Sequence, residues 1–150
     1  MGAVTRSDDE FLAAFEDCTL PYPSEWDHRA HLRTAYLYLS RHPLDEAIAK
    51  MRAGIQRYNA AKGIVDTPVV GYHETLTQMW MRILHGLRAT VGPEANFDAF
   101  VERHPYLLQK FLGRLYYTRE RMTSPLAKRE YVPPDLTPFP GERPLGPSSQ

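Results

Sequence analysis

Apolar side chains recur every three or four residues through almost every long segment of this chain, and no stretch alternates long enough to make a strand. A helix returns to the same face every 3.6 residues and a strand every second residue, so only helices can bury this pattern. The clearest stripe is Leu44, Ala47, Ile48, Met51, Ile55 and Tyr58. Prolines and glycines cut the pattern into pieces, and the expected fold is all-α, a compact bundle of about five to six helices with an extended Pro-rich C-terminal tail.

The first helix opens at Ser7, where Ser7-x-x-Glu10 is a capping box, and it sets Phe11, Phe15 and Cys18 on one face. Pro21 and Pro23 interrupt the chain; Ser24 then opens a second helix running to Arg41. The third starts at Leu44 and fades near Gly63, and 63–71, with Thr67-Pro68 inside, reads as a loop. A fourth spans Tyr72 to Ala89 and stops before Gly92-Pro93. Asn96 caps a short fifth bearing Phe97, Phe100, Val101 and His104. Pro105 opens a sixth with Leu108, Phe111, Leu112 and Leu115 inward. Residues 1–130 therefore read as a single helical domain. Six of the 13 prolines fall between Pro133 and Pro147, so 131–150 reads as a tail, partly docked by Leu136, Phe139 and Leu145 and disordered over Gly146 to Gln150.

A chain of 150 residues buries roughly 70% of its unfolded surface on folding, enough for a core without disulfides. Cys18 has no cysteine to pair with. The 18 Lys and Arg balance 18 Asp and Glu, which argues against a nucleic-acid partner. No apolar run approaches the ~20 residues of a membrane span, and the stretch from Met1 to Asp9 is polar and acidic. A cytoplasmic location with no membrane partner is the expectation. Charge is nevertheless segregated. Asp8 to Asp27 holds seven acids and no Lys or Arg, whereas Arg103 to Glu130 holds seven bases against Glu120 and Glu130. The two segments are expected to face each other, as complementary solvated faces of one domain or as the walls of a groove for an anionic partner.

The chemistry-bearing residues sit at two helix starts. In Trp26-Asp27-His28-Arg29-Ala30-His31-Leu32, His28 and His31 lie roughly 60° apart around the axis and share the apolar face of Leu32, Ala35, Tyr38 and Leu39. In Tyr72-His73-Glu74-Thr75-Leu76-Thr77, His73 heads the stripe Leu76, Thr77, Trp80, Ile83, Leu84 and Leu87, with Glu74 at its edge. A buried imidazole must be hydrogen-bonded or bound to something. The positive end of a helix keeps a neighbouring imidazole neutral, the form required of a base or metal ligand. If the two starts meet, they enclose one pocket. His28, His31 and His73 would be the ligands of one Zn or Fe ion, and His73, Glu74 and Tyr72 the catalytic groups. Thr77, Trp26, Trp80 and Arg114 would bind substrate. The competing reading makes these histidines core residues satisfied by backbone carbonyls or a Glu. His73-Glu74-x-x-Thr77 is not the zinc-protease helix, because Thr77 stands where the second histidine must be. Cys18, behind an acidic helix, reads as packing, and no glycine-rich phosphate loop implies a nucleotide cofactor. His42 and His104 read as helix-end residues and His85 as a flank residue. The cluster Arg114, Tyr116, Tyr117, Arg119 and Arg121 reads as an anchor for the tail through Asp135 and Glu142, or as a contact to an anionic substrate.

The segments Trp26-x-His28-x-x-His31-Leu32, Gly71 to Thr77 and Val132-Pro133-Pro134-Asp135-Leu136 together resemble a group of small uncharacterised bacterial proteins of this length, over nearly the whole chain. The resemblance implies that His28, His31, Tyr72, His73, Glu74, Thr75 and Thr77 belong to recurring motifs, and it lends no reaction. The expectation is a small enzyme, metal-dependent or using His and Glu as acid and base. It would act on a small polar or anionic molecule between the second and fourth helices. A homodimer fits this reading, and the alternative is a non-catalytic binding or accessory protein.

Overall fold

The computed structural model describes residues 5–142, and its regular structure is entirely helical among them. The helices are α1 (Asp8–Glu16), α2 (His28–Arg41), α3 (Leu44–Ala61), α4 (Glu74–Thr90), α5 (Phe97–Arg103), α6 (Arg119–Met122) and α7 (Pro125–Arg129). Two 3₁₀ segments, Pro105–Leu108 and Lys110–Leu115, lie between α5 and α6. None of the described helices is long and apolar enough to cross a membrane.

Three helices make the body: α2, α3 and α4 pack against one another, with α1 laid over α2 and α3 and α5 over α2. The α3 stripe is the floor, with Ala47, Ile48, Met51, Ile55 and Tyr58 all buried. Ser7 closes the capping box on Glu10, which sets the phase of α1 and drives Phe11 and Phe15 inward. The Phe15 ring stacks on Trp26 at 4.7 Å and approaches Tyr58 at 5.8 Å. α3 carries glycine at position 54 because a Cβ there would come within 2.6 Å of that phenyl ring.

Several boundaries depart from the sequence reading. α2 begins at His28, with Asp27 rather than Ser24 opening it: the Asp27 carboxylate accepts from the Ala30 amide at 2.9 Å. No α-helix opens at Pro105. The extended backbone at Gln109 splits the segment into two 3₁₀ pieces, so only Leu107 turns fully inward, and Leu108, Phe111 and Leu115 stay exposed. The acids of α1 do not face the basic segment 103–130. Asp8 pairs with Arg33 and Asp9 with Arg41, both on α2, while Glu25 pairs with Arg6. α2 crosses α1 directly, so its arginines reach those carboxylates first.

The tail packs along α4 over its described part. Val132, Pro134 and Phe139 are buried, and the Leu136 amide bonds to the Tyr116 carbonyl although its side chain is half exposed. Asp135 is held by the amide and hydroxyl of Thr118, Arg121 donates to the Pro133 carbonyl, and Glu142 lies 3.8 Å from Arg82. Anchoring through Asp135 and Glu142 thus uses Thr118 and Arg82 instead of the arginines after the 3₁₀ segments. Gly86 lets this strand approach, since a Cβ there would fall on the Pro140 carbonyl oxygen. Leu145 and Gly146 to Gln150 lie outside the described residues.

Candidate functional site

The first turns of α2 and α4 and the C-terminal half of α3 surround a cavity of about 440 Å³. His28, His31 and Ala35 come from α2, Met51, Ile55 and Asn59 from α3, and Leu76, Thr77, Trp80 and Met81 from α4. Tyr22 and Trp26 close it before α2, the connection 63–73 supplies Ile64, Val70, Tyr72 and His73, and Lys110 stands on the wall from the second 3₁₀ segment. The size is that of a small-molecule pocket, and the wall is largely apolar and aromatic with few polar groups.

Each α2 histidine is fixed by a backbone carbonyl. His28 Nε2 lies 2.9 Å from the Leu107 oxygen and His31 Nδ1 2.7 Å from the Asp27 oxygen. A carbonyl only accepts, so the bonded nitrogen carries the hydrogen and the other carries a lone pair: Nδ1 of His28 and Nε2 of His31. Neither lone pair has a hydrogen-bond partner among the described residues. The His31 ring lies against Trp26 with centroids 3.9 Å apart, and the His28 ring meets Trp80 edge-on at 4.7 Å. Burial pushes His31 down to about 4 against the pull of the Asp27 carbonyl, and burial lowers His28 in the same direction. The surface His31 still exposes borders the cavity. Both rings are therefore neutral near pH 7 and offer acceptors to whatever enters.

His73 lines the same cavity but has spent both nitrogens. As the N-cap of α4, its Nδ1 accepts from the Leu76 amide at 3.0 Å, and its Nε2 donates to the Met122 carbonyl at 3.0 Å. The ring ties the start of α4 to the end of α6. Its protonation is disfavoured chiefly by burial. This corrects its placement as a ligand or base: neither nitrogen is free. Glu74 is corrected likewise. Its two oxygens take Nε and an Nη of Arg52 at 2.9 and 2.7 Å, the Tyr72 hydroxyl at 2.8 Å and the Gln78 amide at 2.6 Å. The Arg52 hydrogen bonds hold it down at about 2, so it is a fixed anion and no general base. Tyr72 keeps its proton, raised first by burial and then by that carboxylate. It forms the wall between this cavity and a second one of about 820 Å³, in which Arg52 pairs with Glu74 and Lys128 with Asp66.

The structure thus gathers Trp26, His28, His31, Tyr72, His73, Thr77 and Trp80 around one space and leaves Glu74 and Arg114 off its wall. Arg114 is exposed, and Lys110, four residues earlier, is the cation that reaches the cavity. Sequence reasoning passed over Lys110, because a helix through 105–115 would have turned it to solvent. Among the described residues no group of three or more His, Cys, Asp or Glu side chains is placed to hold a metal ion. No protein-family model, curated protein or solved structure matches the chain.

Proposed function

We propose that this protein is a small-molecule enzyme of the acid–base type, working in the cavity between α2, α3 and α4, with His28 and His31 as the groups that engage the reacting part of the substrate. One observation carries the reading: two neutral imidazoles, each bonded through one nitrogen to a backbone carbonyl and with no partner for the other among the described residues, line one partly open, aromatic-walled space. His73 on the same wall has both nitrogens committed, and Nε2 of the buried His104, although also without a partner, does not border this cavity. A ligand hydroxyl or N–H donates to His31 Nε2 or His28 Nδ1, and the same nitrogen takes the proton as the ligand reacts. Trp80 and the rim of Trp26 border its apolar body, and Thr77 and Asn59 supply the remaining polar contacts.

The donor count favours proton transfer over a resident metal. A catalytic zinc site takes three protein ligands and an open position, whereas His73 is closed and two imidazole nitrogens remain. A Zn or Fe ion held by His28 and His31 would draw its other ligands from the substrate. Long-range ¹H–¹⁵N spectra of the imidazoles test the proposal, with a set of small hydroxyl- and amino-bearing compounds and with Zn(II) and Fe(II) as separate additions. A compound that shifts His31 Nε2 and His28 Nδ1 while leaving His73 unmoved supports it. Stoichiometric metal on the same two nitrogens, abolished by His28→Ala with His31→Ala, would replace proton transfer by metal chemistry. Both rings titrating near the free value, with no compound shifting either, would sink it.

A further inference from the structure

The cavity has one cation on its wall. Lys110 forms no ion pair among the described residues, whereas in the neighbouring cavity Arg52 pairs with Glu74 and Lys128 with Asp66. It is near enough to His28 and His31 to disfavour their protonation. The one acid on the wall, Asp27, is exposed and caps α2 through Oδ1 to the Ala30 amide. The remaining surface is Tyr22, Trp26, Trp80, Met51, Ile55 and Met81, which takes rings and alkyl groups.

Each feature fixes one part of the ligand. The imidazoles carry lone pairs, so they want donors on the ligand and cannot neutralise an anion. Any negative charge must lie against Lys110. A single ammonium without a guanidinium fork suits a monoanion; a phosphate dianion would be left half neutralised in a largely apolar space. At about 30 Å³ of liquid volume per water-sized group, 440 Å³ holds on the order of fifteen non-hydrogen atoms.

Resting on the reading of His28 and His31 given above, we propose that the ligand class is a small aromatic or bulky apolar monocarboxylate bearing a hydroxyl or N–H donor. Its carboxylate lies on Lys110, its ring against Trp80, and its donor on an α2 imidazole. Lys110 is the residue that selects acids over their neutral and cationic analogues.

Three compounds of one frame separate this inference from the reading beneath it: 4-hydroxyphenylacetate, its primary amide, and tyramine. Each is titrated by calorimetry into the full chain, with the imidazole ¹⁵N shifts followed in parallel. The acid should bind about tenfold or more tighter than the amide, and tyramine weakest, with the acid's advantage shrinking as salt is raised. Lys110→Met should erase the difference between acid and amide, Lys110→Arg should restore it, and Lys110→Glu should invert the order. Lys110 is exposed and makes no side-chain bond, so these variants fold. Equal affinity for acid and amide in the wild type, with His31 and His28 shifted by both, would overturn the carboxylate assignment and leave the histidine reading standing. No binding and no imidazole shift with any of the three, up to millimolar concentration, would overturn both.

Discussion

Acidification should unload His31 in a way that can be read as stability. Its native value is about 4, with burial as the main cause, against about 6.5 in the unfolded chain. Between those values the unfolded state binds more protons than the folded one, so stability rises with pH and is lost as pH falls through that window. The linkage amounts to about 2 kcal/mol at pH 5 relative to pH 8, and approaches roughly 3 kcal/mol below pH 4. The assay is urea unfolding at pH 7.5, 6 and 5 on the wild type and on His31→Phe, which keeps an aromatic ring against Trp26 but cannot titrate. His28, His73 and His104 are also lowered and contribute in both proteins, so the His31 share is the difference between the two curves. The wild type should lose about 2 kcal/mol more than the variant between pH 7.5 and 5, or ~4–8 °C in Tm at this size. Parallel curves would refute the reasoning, as would a His31 ¹⁵N titration centred near 6.5. The functional corollary is that binding through the His31 lone pair persists to about pH 5 instead of failing near pH 6.5.

His73→Ala removes the α4 cap and the tie to Met122, and should cost about 1–3 kcal/mol in chemical denaturation; His73→Asn keeps the cap bond and should recover roughly half. Unchanged stability in His73→Ala would return that ring to the list of groups free for chemistry. Glu74→Gln leaves Arg52 without its anion and should destabilise by about 1–3 kcal/mol without moving the His31 ¹⁵N shifts, since Glu74 is off the cavity wall; a His31 shift would place it in the site. Gly86→Ala puts a methyl on the Pro140 carbonyl, so it should dislodge the 131–142 strand at about 1–3 kcal/mol and expose it to limited proteolysis. Wild-type protection would mean that the strand holds without that close approach.

The helical class was legible because each body helix has one side against the core, and a period of 3.6 shows that directly. In α4 that period accounts for only one of two covered sides. Its sequence stripe names Ile83, Leu84 and Leu87, which are buried, and also Leu76, which is 40% exposed. It omits Thr75, Gln78 and Met79, all buried, because α4 has a second covered side where α7 and the returning tail pack. The polar residues there are satisfied by partners within α4 for Gln78 and far along the chain for Thr75. The Thr75 hydroxyl donates to the Glu130 carbonyl and accepts the Val132 amide, and Gln78 lies between Glu74 and Arg82. A polar residue buried by a distant strand looks in sequence like a polar residue facing water. The small residue Gly86, in line with Thr75 and Met79, was the one local sign of a close approach.

For the site, sequence placed side chains around an axis but could not aim nitrogen atoms. Inside a helix the aim follows from the periodicity, so His28 and His31 sit beside the apolar stripe they appear to head. One residue before a helix it does not follow. His73 has φ −129 and ψ 110, outside helical values, so its Cβ leaves the 100° progression and the ring folds back over the first turn to cap it. A two-residue difference in where α4 begins therefore converts a proposed ligand into a cap. The same shift puts Glu74 at the first helical position, within reach of Arg52 across the α3–α4 packing, 22 residues away in sequence. The groups left open to the cavity consequently narrow from three imidazoles and a carboxylate to two imidazoles on one helix, with Lys110 as the cation on its wall. The 3₁₀ geometry that brings Lys110 there also delivers the Leu107 carbonyl to His28. One irregular segment thus fixes the tautomer of His28 and places Lys110 on the same cavity wall, so substitutions that straighten residues 105–115 into α-helix would disturb both at once.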